Sequence, residues 1–145
     1  MKIRLLIATV ACALAAGPFL HAAETETELS KKMDKMGGAF RALRRQVADS
    51  SKNADSLARL ATIKENAVAS AKLEPVMKAD KPKAEQAKFV ADYQAEMKKF
   101  LALVEKTEAA LKAGNNAEAE KLVAQMGDAN KAGHKQFKKP DEKKK

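Results

Sequence analysis

Apolar residues recur along this chain at alternating steps of four and three, the period that places side chains on one face of an α-helix. The first such run is Leu29, Met33, Met36, Phe40, Leu43 and Val47, and it predicts a helix from about Glu26 to Ala48. Asp49-Ser50-Ser51-Lys52-Asn53 then supplies a turn and a cap. A second segment, with Leu57, Leu60, Ile63, Ala67, Val68 and Ala71 as its inward residues, should stop near Pro75. Lys78-Ala79-Asp80-Lys81-Pro82-Lys83 reads as the longest and least ordered connection. The third helix carries Phe89 or Val90, then Tyr93, Met97, Phe100, Val104, Thr107 and Leu111, and Gly114 marks its end. Asn115 and Glu118 have capping-box spacing, so a fourth helix starts near Asn116. Its inward residues are Ala119, Leu122 or Val123, Met126, Asn130 or Ala129, His134 and Phe137, before Pro140 halts it. Residues 140–145 are expected to form a disordered basic tail.

No alternating β-pattern of useful length interrupts these segments, so the fold class is all-α. Helices of about 22 residues are each about 33 Å long, and short connections force consecutive helices to run antiparallel. The predicted architecture is therefore an antiparallel up-down-up-down four-helix bundle over residues 23–139. The absence of a 20–50-residue sequence repeat argues against a solenoid.

The segment ahead of the first helix changes the setting. Met1-Lys2-Ile3-Arg4 leads into an apolar run from Leu5 to Ala16, then Gly17-Pro18 and Leu20-His21-Ala22-Ala23. A basic start, a short apolar middle and small residues at the cut describe a secretory signal peptide over residues 1–22, with the mature chain starting at Ala23. The run falls short of the roughly 20 residues that cross a bilayer, and Pro18 interrupts it, so no membrane span is expected. The expected location is the periplasm. Cys12, the single cysteine, lies inside this leader. The apolar stretch before it is too short to fit a lipoprotein signal well, and the mature chain then has no thiol for a disulfide, a metal or a covalent cofactor link. Loss of Lys2 and Arg4 lowers the net charge from +9 to +7. Export removes the nucleic-acid reading of that charge and leaves a solubilising basic surface suited to acidic partners. A mature chain of about 123 residues can bury one core, and a monomer is the expected state.

Little conventional catalytic chemistry is on offer. The mature chain has one histidine, no cysteine and no Glu-x-x-His pair, which argues against hydrolytic or di-metal chemistry and against an enzyme. In the predicted bundle, however, Met33 lies roughly 10 Å into the first helix and His134 roughly 6 Å before the end of the fourth. Those two ends meet, so a thioether and an imidazole share a level. Together they are a known axial pair for haem iron. Spacing alone leaves the alternatives open: methionine as core filler, histidine as a helix-end cap, or a Cu(I) site of Met33, Met36 and His134.

Two segments carry a family resemblance. Leu29-Ser-Lys-Lys-Met33-Asp-Lys-Met36 resembles the start of the soluble cytochrome b-562 family, where a leucine precedes the ligand methionine by four. Asn130-Lys-Ala-Gly-His134-Lys-Gln-Phe137-Lys138 resembles its last helix, which carries the ligand histidine and then an aromatic residue. The resemblance runs over nearly the whole mature chain, including Phe89 and Tyr93, Pro75 and the Gly114-Asn115 turn. It implies a periplasmic electron-transfer protein holding one haem b, with Met33 and His134 on the iron. Leu29, Met36, Phe89, Tyr93 and Phe137 would bury the macrocycle, with Asn130 and Lys138 at its edge. Without a Cys-x-x-Cys-His motif the haem would be held non-covalently. The chain departs from the best-known pattern at Asn130, Gly133 and Lys138, which replace an arginine, a tyrosine and an arginine; lysine is not an equivalent propionate partner. Gly37 and Gly38, in the interior of the first helix, read either as close helix packing or a kink, or as clearance for a flat macrocycle. The competing reading is a haem-free exported bundle serving as an interaction or envelope-stress module.

Overall fold

A computed structural model describes residues 27–139. The expected leader and the tail beyond Lys139 lie outside the described residues. Four α-helices, α1 (Glu28–Gln46), α2 (Asn53–Ser70), α3 (Lys83–Lys112) and α4 (Asn116–Phe137), are joined by short connections, with no strand among the described residues.

Local chemistry explains where each helix begins. The Thr27 hydroxyl accepts the Ser30 N–H at 3.1 Å and caps α1. Asp49 accepts the Ser51 N–H at 3.0 Å, opening the 3-10 turn Ser50–Lys52 that leads into α2. The hydrogen bonds from Ser51 hold the Asp49 carboxyl below its usual range. Asn115 accepts the Glu118 N–H at 3.1 Å at the head of α4. Gly114, with φ of 72°, takes the left-handed conformation that ends α3 at little steric cost.

The hydrogen bonds also order the helix ends. Asn116, at the start of α4, donates to the Val47 carbonyl just past α1 and to Asn53 Oδ1 at the start of α2, both at 2.7 Å. Asn53 returns a bond to Asn116 Oδ1 at 3.2 Å and reaches the Leu111 carbonyl near the end of α3 at 3.4 Å. Gln46 adds bonds to Asp55 and Ser56 at 2.7 and 3.2 Å. The end of α1, the start of α2, the end of α3 and the start of α4 thus meet at one pole, as an antiparallel bundle requires. This amide knot closes that pole. At the other, Tyr93 Oη donates to the Ser70 carbonyl at 3.0 Å, tying α3 to the end of α2.

The core follows the predicted stripes closely on α1, α3 and α4. Met36, Leu43, Val47, Tyr93, Met97, Phe100, Val104, Leu111, Ala119, Val123, Met126 and Phe137 are all buried. Several expectations need correction. Val68, expected inward, is 42% exposed. The true inward stripe of α2 is Ser56, Leu60, Ile63, Ala67 and Ser70, flanked by Asn66; it repeats at four and three, and its polar members hid it. The connection expected to be least ordered contains a 3-10 turn, Val76–Asp80. The third helix is 30 residues long, about 45 Å, and begins directly after Pro82. A helix-fixed φ at Pro82 and no backbone donor needed there make that start natural. His134, expected on an inward stripe, is exposed.

Candidate haem site

The open pole is built on an aromatic trio. The Phe137 ring packs against Phe89 at 5.2 Å between centroids and against Tyr93 edge-on at 5.4 Å. Phe137 and Tyr93 are buried, and Phe89 is half-buried beneath the Lys81 ammonium, 5.0 Å from its ring centre. Such tilted and edge-on contacts suit the ring quadrupoles. The trio joins the C-terminal turn of α4 to α3, and the Tyr93 hydroxyl carries the tie on to α2. Burial pushes that hydroxyl up to about 12. The Ser70 hydroxyl beneath it is fully buried and has no hydrogen-bond partner.

Met36 completes the interior, and Leu29 and Met33 pack against it half-buried. Of the residues singled out from sequence, Met36, Tyr93, Phe137, Leu29 and Phe89 therefore belong to one continuous apolar body. Asn130 is half-buried on α4, one turn before His134, while Lys138 is exposed.

The seam between α1 and α4 sets the register of the two candidate ligands. A Cβ at Gly127 would stand 3.7 Å from Phe40 Cζ, so the Phe40 side chain reaches across to α4 there. Met33 is seven residues before Phe40, and His134 is seven after Gly127. Seven residues make two turns with only about 20° of drift. In antiparallel helices both positions therefore lie about 10 Å beyond the contact, on the seam side. Sequence reasoning missed Phe40 and Gly127 as the anchors of this register; the signal was their heptad distance from the two candidate ligands.

The donor chemistry fits haem iron. The imidazole of His134 has no hydrogen bond or ion pair among the described residues, so both ring nitrogens are available; Met33 offers a thioether that no polar group engages. Neither glycine of the Gly37-Gly38 pair is pressed by a neighbouring helix: a Cβ at Gly38 would meet nothing within 4 Å, and one at Gly37 would meet only Arg41 of its own helix. The close-packing reading of that pair is thus replaced by open space. Gly133, beside the candidate histidine, is equally open. A shallow depression between α2 and α3, rimmed by the Lys64 bridges to Glu105 and Glu108, contains none of these residues.

The family model described as Cytochrome b562 matches residues 28–138. No curated protein and no solved structure matches the chain. The matched span runs from the first residue of α1 to the residue after α4, over three quarters of the sequence. Four helices in this order, with that match along their whole length, make the chain a member of the cytochrome b562 family, a family of haem-binding electron-transfer proteins.

Proposed function

We propose that this chain is an exported, periplasmic one-electron carrier that binds one haem b non-covalently, with Met33 and His134 as axial ligands. The observation that carries the reading is the seam register. From the Phe40–Gly127 contact, two turns along each helix lead to a thioether on α1 and a free imidazole on α4. Bound there, haem supplies a reversible one-electron change at iron, which a soft thioether biases toward the reduced form.

The protein's own residues have distinct tasks in this reading. His134 supplies the stronger donor and Met33 the softer one. Leu29, Met36, Phe89, Tyr93 and Phe137 exclude water from one side of the macrocycle. Asn130 presents an amide on the seam one turn before the imidazole. Lys131 and Lys135 lie on the last turns of α4 and Lys138 directly follows it, and no carboxylate stands between Asp128 and the end of the helix. They make the rim cationic and favour an acidic redox partner. The leader at residues 1–22 delivers the chain, and the bundle works as a monomer.

Titration of the purified mature protein with haemin tests the proposal. The expected result is a one-to-one, six-coordinate low-spin complex that His134→Ala abolishes or converts to a high-spin form. A spectrum unchanged by His134→Ala rules out the ligand assignment. The second reading, a haem-free bundle acting through its basic surface, draws on the exposure of His134 and on a core that Tyr93 and Phe137 already fill. Its outcome is a colourless protein whose melting temperature haemin leaves unmoved.

A further inference from the structure

The departures from the family pattern remove arginine from two positions near the expected haem edge of α4. The structure supplies a guanidinium from the opposite wall. Arg41 on α1 is exposed, yet its side chain folds back along the helix toward the N-terminus: a Cβ at Gly37 would stand 3.4 Å from Arg41 Nη1. The guanidinium thus occupies the surface over Gly37, one turn from Met33, where any other residue would place a side chain. Helical side chains lean toward the N-terminus, so this direction is the natural one for Arg41.

Its position around the helix matters as much as its height. Met36, Ala39 and Leu43 form the buried line of α1, Gln46 faces α2 through its bonds to Asp55 and Ser56, and Phe40 faces Gly127 of α4. At 100° per residue, Gly37 and Arg41 fall on the far side of Phe40 from α2. They form the outer lip of the α1–α4 seam. Lys131, four residues after Gly127, takes the matching place on α4. Among the described residues neither Arg41 nor Lys131 has a carboxylate partner, whereas Arg59 is held by Asp55 at 3.1 Å and Lys64 by Glu105 at 3.2 Å. Arg45 on the same helix is equally without a carboxylate, so what singles out Arg41 is its place at the cleft lip, where the five donors of a planar guanidinium fork could meet a carboxylate.

We infer that Arg41, laid over the Gly37 notch, is a carboxylate-binding residue for the propionate edge of the macrocycle, replacing from α1 the arginines absent from α4. This inference rests on the haem-binding reading above. Gly37 then leaves that surface to the guanidinium: a Cβ there would just touch Nη1, and a longer side chain would compete for the same place.

Haemin and its dimethyl ester share iron and ring but differ in the free carboxylates, so their affinities test the inference in the intact mature protein. Arg41→Gln should weaken haemin binding roughly three- to fivefold, the range of a solvent-facing ion pair, and leave the ester unaffected. Arg41→Lys should fall between, because it keeps charge and loses the fork. Arg45→Gln, an equal loss of charge one turn along α1, should change neither affinity, and the wild-type preference for haemin over its ester should shrink with added salt. Equal losses for haemin and ester in Arg41→Gln, or an effect of Arg45→Gln matching it, overturn the assignment. Unchanged melting of cofactor-free Arg41→Gln separates binding from folding. Wild-type protein that binds neither compound refutes the haem reading itself, a result distinct from wild-type binding that ignores position 41.

Discussion

Ser70 and Tyr93 show how much one buried polar atom can decide. The Ser70 hydroxyl is fully buried and unpartnered, while its carbonyl accepts from Tyr93 Oη. A buried hydroxyl without a partner costs about 1–3 kcal/mol, and Ser70→Ala removes it without touching the carbonyl. The expected outcome is a gain in stability of about 1 kcal/mol, read from urea unfolding. Tyr93→Phe should do the reverse, costing about 1 kcal/mol by deleting a hydrogen bond. Tyr93 is the only tyrosine and the chain has no tryptophan, so its ionisation can be followed directly by ultraviolet absorbance. Burial raises its folded value to about 12, against about 10 when unfolded. The sign follows: the unfolded chain releases this proton first, so the contribution to stability is complete below about pH 10 and is lost as pH rises toward 12. Tyr93→Phe should flatten that alkaline loss.

At the scale of elements, the two asparagines that close one pole can be tested as a pair. Asn116→Ala removes the donor to Val47 and the exchange with Asn53, and should destabilise the bundle by roughly 2 kcal/mol. In a double-mutant cycle with Asn53→Ala the two should be non-additive by about 1 kcal/mol, measured by thermal or urea unfolding. Gly38→Ala should act oppositely. Its Cβ would meet nothing, so helix propensity alone applies, a gain of about 1 kcal/mol with no change in haemin affinity.

These elements also show what was legible in the sequence. The α1 and α3 stripes were readable because their core positions are large and apolar, and periodicity is then unmistakable. On α2 the same period is carried by Ser56 and Ser70, so weight shifted to Val68, which faces solvent. Capping chemistry located the start of α4 at Asn116, although the tie from Asn116 to two other helix ends is a tertiary fact that no local pattern encodes. Met33 and His134 could be brought to one level by counting turns. The exposure of His134 could not, because it depends on how far α4 rotates when Phe137 seats against Phe89 and Tyr93. Arg41 carried no periodic signal at all, since it lies on the exposed face of α1 and only the turn of its side chain back over Gly37 sets it apart.

For the molecule as a whole, the two poles differ in how they are held. Asparagine and glutamine side chains knit four helix ends at one; at the other, α2, α3 and α4 are joined through aromatic rings and a tyrosine hydroxyl. A ligand bridging Met33 and His134 would add a direct tie from α1 to α4. Haemin at a hundredfold excess over its dissociation constant should therefore add about 2.7 kcal/mol to apparent stability, seen as a rise in melting temperature that Met33→Ala and His134→Ala each reduce.

The contact between Phe40 and Gly127 carries a kinetic consequence. It joins the first and last helices, nearly the whole bundle apart in sequence, whereas α1 with α2 and α3 with α4 are neighbours along the chain. Contacts between distant segments bear the largest loop-closure cost and form late, so the two helical hairpins should assemble first, dock through α2 and α3, and close this seam at the end. A cofactor held across a late-forming seam stabilises the finished protein more than the transition state. Its signature in stopped-flow chevrons would be an unfolding limb slowed by haemin and a refolding limb left where it was.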